Sequence, residues 1–244
     1  MVCSSLSSRK KLPDYVIDAV SKRIAGDILL SDEPGKYIRK WREIYGLGQI
    51  DVARLMGVSY SVLSDYERGK RAAGRSFIRK FILALMKYDS ERGWIVTRRI
   101  ARLLSIYIEG ILDIGEFREP LRLDDLVTMV KGILLTSNIE HRPILGYTVL
   151  DSVATIQSIT ANEFVRILGA TSDRVVVFTN ITRGRSVMVA TRVSPVKPSV
   201  IVLHGIKKVD PLAIRIGDIE NIPLIQSTID IEEVIKSFRQ RSLI

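Results

Sequence analysis

The stretch from Gly46 to Arg71, GLGQIDVARLMGVSYSVLSDYERGKR, sets two short amphipathic segments on either side of one glycine. Ile50, Val52, Ala53 and Leu55 give the first segment an apolar side, with a small side chain at Ala53 where a crossing helix must come close. Gly57 ends that segment and Val58 plugs the turn. Ser59 is placed to cap the second segment, in which Val62, Leu63 and Tyr66 point inward. The outward positions are then Tyr60, Ser61, Ser64, Asp65 and Arg68. Two helices crossed through a tight glycine turn, the second with polar side chains at its exposed start, make a helix-turn-helix. The major groove of duplex DNA is wide enough to admit such a second helix.

The flanking sequence extends this motif into a small helical unit. Ser31 or Asp32 followed by Pro34 predicts an N-cap and first turn for a helix running through Tyr45. SFIRKFILALMKYD supplies a further helix after Gly74, so that residues 32–88 hold four or five short helices. Upstream, Val16, Ile17, Val20 and Ile24 share one face of a helix over residues 14–26, with Gly26 as its expected stop. The basic run Arg68, Lys70, Arg71, Arg75, Arg79 and Lys80 contains no acid. Such a run attracts a polyanion, although a charge run can also be a merely solvated helix face.

Residues 32–88 resemble the Cro and phage-repressor (Xre) type of helix-turn-helix. The resemblance rests on Gln49, Ala53, Gly57, Val58, Ser59, Leu63, Glu67 and Gly69 together. It implies a five-helix DNA-binding domain of a transcriptional regulator. It also implies that Tyr60, Ser61, Ser64 and Asp65 reach base edges, and that Gln49, Ser59, Arg68, Lys70, Arg71 and Arg75 contact the DNA backbone. Arg42 and Glu67 would form a structural pair tying helices together. Two departures stand out: Gly48 replaces the usual Ser, Thr or Asn cap, and Asp65 places an acid where bases are read. A carboxylate there can accept from cytosine N4 but repels nearby phosphate.

Beyond residue 93 the texture changes. Residues 94–114 carry apolar side chains at helical spacing (Val96, Ile100, Leu103, Tyr107, Ile111), and residues 121–135 repeat the pattern. From Tyr147 on, Val175–Thr179 and Val187–Val193 read as β-branched strands joined in a hairpin by NITRGR. Ser199–His204 and Ile222–Gln226 read as buried strands, with a helix opening at Asp210–Pro211 between them. A last helix is expected to start at Ser227 or Thr228 and run through Phe238, and Thr160–Glu163 is a capping box for one more. Ligands of such α/β layers sit at the carboxyl ends of parallel strands. That rule makes His204, Gly205, Gln226, Ser227 and Thr228 a possible effector site, with Arg183 and Arg185 as a second anion candidate.

Composition narrows the remaining classes. Of 244 residues, 46% are hydrophobic and 26% charged, values of a folded chain rather than a disordered one. The net charge is +10, of which +7 falls in residues 1–93, where 18 basic side chains face 11 acidic ones. The most apolar stretch is interrupted by Arg98, Arg99, Arg102 and Glu109, so no membrane span is expected, and the amino terminus lacks a secretory pattern. With Cys3 the only cysteine and His141 and His204 the only histidines, no disulfide or zinc site is expected, and no cofactor. No P-loop, GxGxxG or nucleophile elbow is present, so the chain is not expected to be an enzyme.

The expectation is therefore a cytoplasmic α+β multidomain regulator. Its parts are an N-terminal arm (1–31), an all-α helix-turn-helix domain (32–93), a helical linker (94–143) and a C-terminal α/β domain with a partly parallel sheet (144–244). The expected partners are double-stranded DNA, a second copy bound through residues 94–135 or the C-terminal domain, and a small-molecule effector. Two alternatives stay open: a bridging coactivator of the basal transcription machinery, and an enzyme domain targeted by the helix-turn-helix.

Overall fold

The computed structural model describes residues 12–137, 142–158 and 173–243. The chain divides between Tyr107 and Ile108 into two compact units. The N-terminal unit is helical: α1 (Asp14–Leu29), α2 (Pro34–Ile44), α3 (Gln49–Met56), α4 (Tyr60–Glu67), α5 (Arg75–Ser90) and α6 (Ile95–Leu103). Val16, Val20, Ile24 and Ile28 of α1 join Ile38, Val52, Leu63, Phe81 and Leu85 in one core, all without exposed surface. The expected arm is thus part of the domain. Gly26 does not stop α1, which runs one turn further and buries Ile28.

The start of α2 corrects a second expectation. Its N-cap is Glu33, whose side chain makes no capping bond, and Pro34 opens the helix. At the other end of the unit, Asp89 of α5 caps α6 from outside. Its carboxylate accepts from the N–H groups of Val96 (3.1 Å) and Thr97 (2.7 Å), and Tyr45 Oη and Thr97 Oγ1 lie 3.1 Å apart. The apolar spacing over 94–114 therefore does not make one long helix. Leu104 and Ser105 close α6, with Ser105 in the left-handed region and the Ile106 N–H returning to the Ala101 carbonyl.

The C-terminal unit is built on a six-stranded sheet in the order β1-β3-β4-β5-β6-β2. Its strands are β1 (Ile111–Leu121), β2 (Ile133–Leu134), β3 (Ile144–Asp151), β4 (Arg174–Thr179), β5 (Val200–His204) and β6 (Leu224–Ser227). The four central strands are parallel and the two edge strands antiparallel. Helices α7 (Leu123–Met129), α8 (Ser152–Ser158), α9 (Arg185–Val193), α10 (Pro211–Glu220) and α11 (Ile231–Arg241) pack with it. Tyr147, Val149, Val175, Val177, Val200, Val202 and Ile225 alternate onto one face and form a core with α7 and α11. The helical linker expected over 94–143 is thus absent, because α6 belongs to the first unit and β1, α7 and β2 to the second.

Two local expectations are also corrected. Val187–Val193 is helix, not strand, with Val187, Met188 and Thr191 buried on one side, so NITRGR joins β4 to α9 instead of turning a hairpin. The last helix is capped by Asp230, whose side chain accepts from the Glu232 N–H, rather than by Ser227 or Thr228. The capping box at Thr160–Glu163 lies outside the described residues. Among the described residues, no helix is long and apolar enough to cross a membrane.

One buried polar cluster ties β1 to α11. The Asp113 carboxylate, 1% exposed, accepts from Arg239 Nε and Nη2 (both 2.9 Å) and from the Tyr147 hydroxyl (3.1 Å). Phe117 and Phe238 pack on the Tyr147 ring. The carboxyl-terminal residues continue past α11 along the outer edge of β1, where Phe117 bridges Ser242 and the Leu243 N–H meets the Glu116 carbonyl at 2.9 Å.

Candidate nucleic-acid interface

The turn between α3 and α4 is set by backbone geometry. Gly57 takes φ +68°, a left-handed conformation that costs a residue with a Cβ more than it costs glycine. The next N–H groups close back on α3, Gly57 to Arg54 and Val58 to Ala53, and satisfy carbonyls that the helix end leaves unpaired. Ser59 then caps α4, its hydroxyl accepting from the Val62 N–H at 3.4 Å and sharing a 2.9 Å bond with the Ser61 hydroxyl.

The expected outward side chains divide. Tyr60 is half exposed, Ser61 and Arg68 are exposed, and Asp65 is partly covered. Ser64 departs from expectation: it is 6% exposed. The reason is that α4 packs against both α2 and α3, so its buried arc spans Leu63, Ser64 and Glu67 rather than one narrow stripe. The remaining basic side chains, Lys70, Arg71 and Arg75, are exposed, as is Ser59.

Beneath this surface Arg42 and Glu67 form a bidentate pair. Arg42 Nε donates to Glu67 Oε1 (2.7 Å) and Nη2 to Oε2 (3.1 Å), while Nη1 donates to the Leu47 carbonyl (2.8 Å). The hydrogen bond to Glu67 raises the Arg42 pKa above its ordinary value, against the pull of burial. Gln49 is a third member, its Nε2 donating to Glu67 Oε2 at 2.6 Å. The amide expected to face phosphate is therefore turned onto the buried carboxylate. Sequence spacing gave no signal for this, since Gln49 and Glu67 lie on different helices.

An open recess of about 670 Å³ lies over the start of α3. Arg39, Arg42 and Arg68 line it together with Gly48, Gln49, Ile50 and Tyr60, and so do two carboxylates, Asp51 and Glu67. Gly48 offers no capping side chain to the start of α3, and the Asp51 carboxylate of the first turn lies over the Gly48 position. Arg39, which no spacing argument singled out, lies one helical turn before Arg42 and pairs with Glu43 at 2.9 Å.

The strand ends of the second unit are chemically quieter. His204 Nε2 lies 2.6 Å from the Ile229 carbonyl, Gln226 Nε2 donates to the Ile206 carbonyl (2.8 Å) and the Ser227 hydroxyl donates to the Val130 carbonyl (2.6 Å). The parallel register brings His204 beside Ser227, while Gly205 and Thr228 are exposed. The His204, Gln226 and Ser227 side chains, expected to meet an effector, are thus engaged with backbone carbonyls.

Arg185 Nε and Nη2 contact Asp210 Oδ2 at 3.0 and 2.8 Å, and Asp210 Oδ1 accepts from the Leu212 N–H. That backbone N–H first, and Arg185 after it, hold the Asp210 carboxyl below its ordinary range. A folded-state value below the unfolded one contributes stability above about pH 4, lost as acid titrates the folded carboxyl. Asp210→Asn should therefore flatten the fall in melting temperature between about pH 4 and pH 2. An unchanged acid profile would contradict it.

Three comparisons place this geometry. The family pattern described as helix-turn-helix matches residues 38–85. An uncharacterised HTH-type transcriptional regulator of Archaeoglobus fulgidus is 42% identical over 225 residues, covering 91% of this chain and 97% of that protein. Another, of Methanocaldococcus jannaschii, is 39% identical over 229 residues, covering 92% and 95%. Among solved structures, the CBS and DRTGG domains of the regulatory region of Clostridium perfringens pyrophosphatase, complexed with diadenosine tetraphosphate, align with 49% of this chain and 46% of that one. The TM-score is 0.37 at 13% identity, too low for any conclusion about fold or ligand.

Proposed function

Because this chain belongs to the family of HTH-type transcriptional regulators, we propose that it binds duplex DNA sequence-specifically, with α4 in the major groove. The observation that carries this reading is the surface of α4. A serine-capped helix presents Tyr60 and Ser61 outward, and Arg68, Lys70 and Arg75 stand exposed just beyond it. Tyr60 and Ser61 contact base edges. The recess at the start of α3 seats a backbone phosphate against Arg68, with Arg39 beside it shared with Glu43 and the Asp51 carboxylate turned back over Gly48. Buried Ser64 has no part in base contact, and Gln49 acts through Glu67 rather than on phosphate.

The protein acts in the cytoplasm as a dimer on a two-fold-symmetric site, and the C-terminal unit serves assembly. Val189 and Val193 of α9 and Leu212 and Ile219 of α10 are exposed on neighbouring helices that the Arg192–Glu220 pair joins, the kind of apolar surface that marks contact with another protein. The polar side chains at the ends of β5 and β6 are already bonded to backbone, which weighs against an effector there.

The deciding experiment is selection of bound sites from a random duplex pool with the full chain. A recovered two-fold-symmetric site supports the reading, and an asymmetric one removes the dimer. Failure to retain duplex even at low salt would instead favour a bridging role between proteins. The charge track gives a separate expectation. Lys70→Ala combined with Arg75→Ala should weaken binding to every duplex alike and lower the slope of log affinity against log salt by about 2. Tyr60→Ala should instead change which sites are preferred.

A further inference from the structure

The structure assigns Arg71 the reading of a guanine in the major groove and makes Asp65 the residue that positions it. This reverses the roles expected from the sequence, where Asp65 read bases and Arg71 held the backbone, and it rests on the DNA-binding reading above.

The path of the chain is the first support. Gly69 lies at φ +72°, its N–H donating to the Tyr66 carbonyl (3.1 Å), and the Lys70 N–H donates to the Asp65 carbonyl (2.9 Å). This paired closure folds the backbone over the last turn of α4 and fixes the residue that follows. Arg71 is thereby carried back beside Asp65, and its Nε lies 3.4 Å from Asp65 Oδ2.

The second support is which atoms the contact uses. Asp65 approaches the Nε edge of the guanidinium. The opposite edge, with Nη1 and Nη2, is the fork that matches paired acceptors, and guanine O6 and N7 form such a pair in the major groove. The Arg71 side chain keeps 52% of its surface exposed. Asp65 stands one helical turn after Ser61 on α4, so the guanidinium it restrains lies on the exposed flank of α4.

The third support is electrostatic. An unpaired carboxylate on a surface that must approach phosphates would oppose binding, and the ion pair cancels its charge. An exposed pair of this kind adds little to folding. Substitutions here therefore report on recognition rather than on stability.

Reading of guanine by Arg71 and reading of the paired cytosine by Asp65 both select a G·C pair, so the test must separate the atoms. Sites are selected with the wild-type chain and with Asp65→Asn, Arg71→Ala and Arg71→Lys, and the wild-type site is remade with 7-deazaguanine at each guanine. At one position 7-deazaguanine should weaken wild-type binding about tenfold and leave Arg71→Ala unaffected. Arg71→Ala and Arg71→Lys should lose the G·C preference there. Asp65→Asn should relax it at the same position, and in the Arg71→Ala background should change nothing more. The assignment is overturned if Arg71→Ala keeps every base preference and only flattens the salt dependence. It is equally overturned if the preference survives Arg71→Ala and 7-deazaguanine but not Asp65→Asn. A wild-type chain that enriches no site removes the DNA-binding reading itself, and this assignment with it.

Discussion

Glu67→Ala is expected to cost the N-terminal unit about 3–5 kcal/mol, the usual loss when one member of a buried ion pair is removed. The Glu67 side chain is 2% exposed and that of Arg42 9%, so the guanidinium left behind stays largely shielded from water, reaching it only at the floor of the recess. Arg42 would retain the Leu47 carbonyl and a longer contact with Glu43 Oε1 (3.5 Å), and the Gln49 amide would lose its acceptor. Against a typical unfolding free energy of about 5–15 kcal/mol, such a loss takes a large share of the stability. Urea titration of the full chain, read together with hydrogen exchange over residues 34–67, would measure it. Replacing both partners by apolar residues, Arg42→Met with Glu67→Leu, should recover most of the stability, because the desolvation cost of the charges disappears with them. A loss below about 1 kcal/mol in the single variant would show that the pair does not hold the helices.

Asp113→Ala should have the second-largest effect, about 3 kcal/mol, near the lower end of the range for broken buried pairs. The Arg239 side chain is 36% exposed and can turn toward solvent once its partner is gone. Tyr147 cannot. Its hydroxyl is held protonated far above the ordinary phenol range by burial and by the Asp113 charge, and between the aromatic rings it would be left with the neutral Ser242 side chain in place of a charged acceptor. Tyr147→Phe removes donor and hydroxyl together and should cost about 1 kcal/mol. Near-equal losses in the two variants would mean that Arg239 contributes nothing. Hydrogen exchange in β1 and α11 should rise in Asp113→Ala and identifies the unit affected.

The parts of the fold read correctly from sequence are those decided by local chemistry. Ser59 and Gly57 act within a few residues of themselves, and Asp210 caps the helix that it immediately precedes. The Arg42–Glu67 pair was legible only through family resemblance, since 25 residues separate its members. The failures come from signals that two structures share. In Val187–Val193 the β-branched composition suggested a strand, yet Val187, Met188 and Thr191 also carry helical spacing, and packing chose the helix. Over 94–114 the apolar period continues through Tyr107 and Ile111, but Ser105 ends the helix and Ile111 pairs with Leu150 from a distant segment. Nothing local encodes that pairing. The site shows the same limit: exposure of Tyr60 and Ser61 follows from their place on α4, whereas burial of Ser64 depends on α2, and the meeting of Asp65 with Arg71 on the path of the chain past Gly69.

The carboxyl-terminal strap along β1 has a practical bearing on the behaviour of the molecule. An outermost strand with open amides and carbonyls is a template onto which another polypeptide can add. Ser242 and Leu243 occupy part of that template, and Arg118 Nε clasps the Ser242 carbonyl at 2.9 Å. Removing Ser242 and Leu243 would leave the outer side of β1 open at Glu116 and Phe117 as well. Loss of this short clasp should therefore raise the tendency of copies to associate edge to edge through β1.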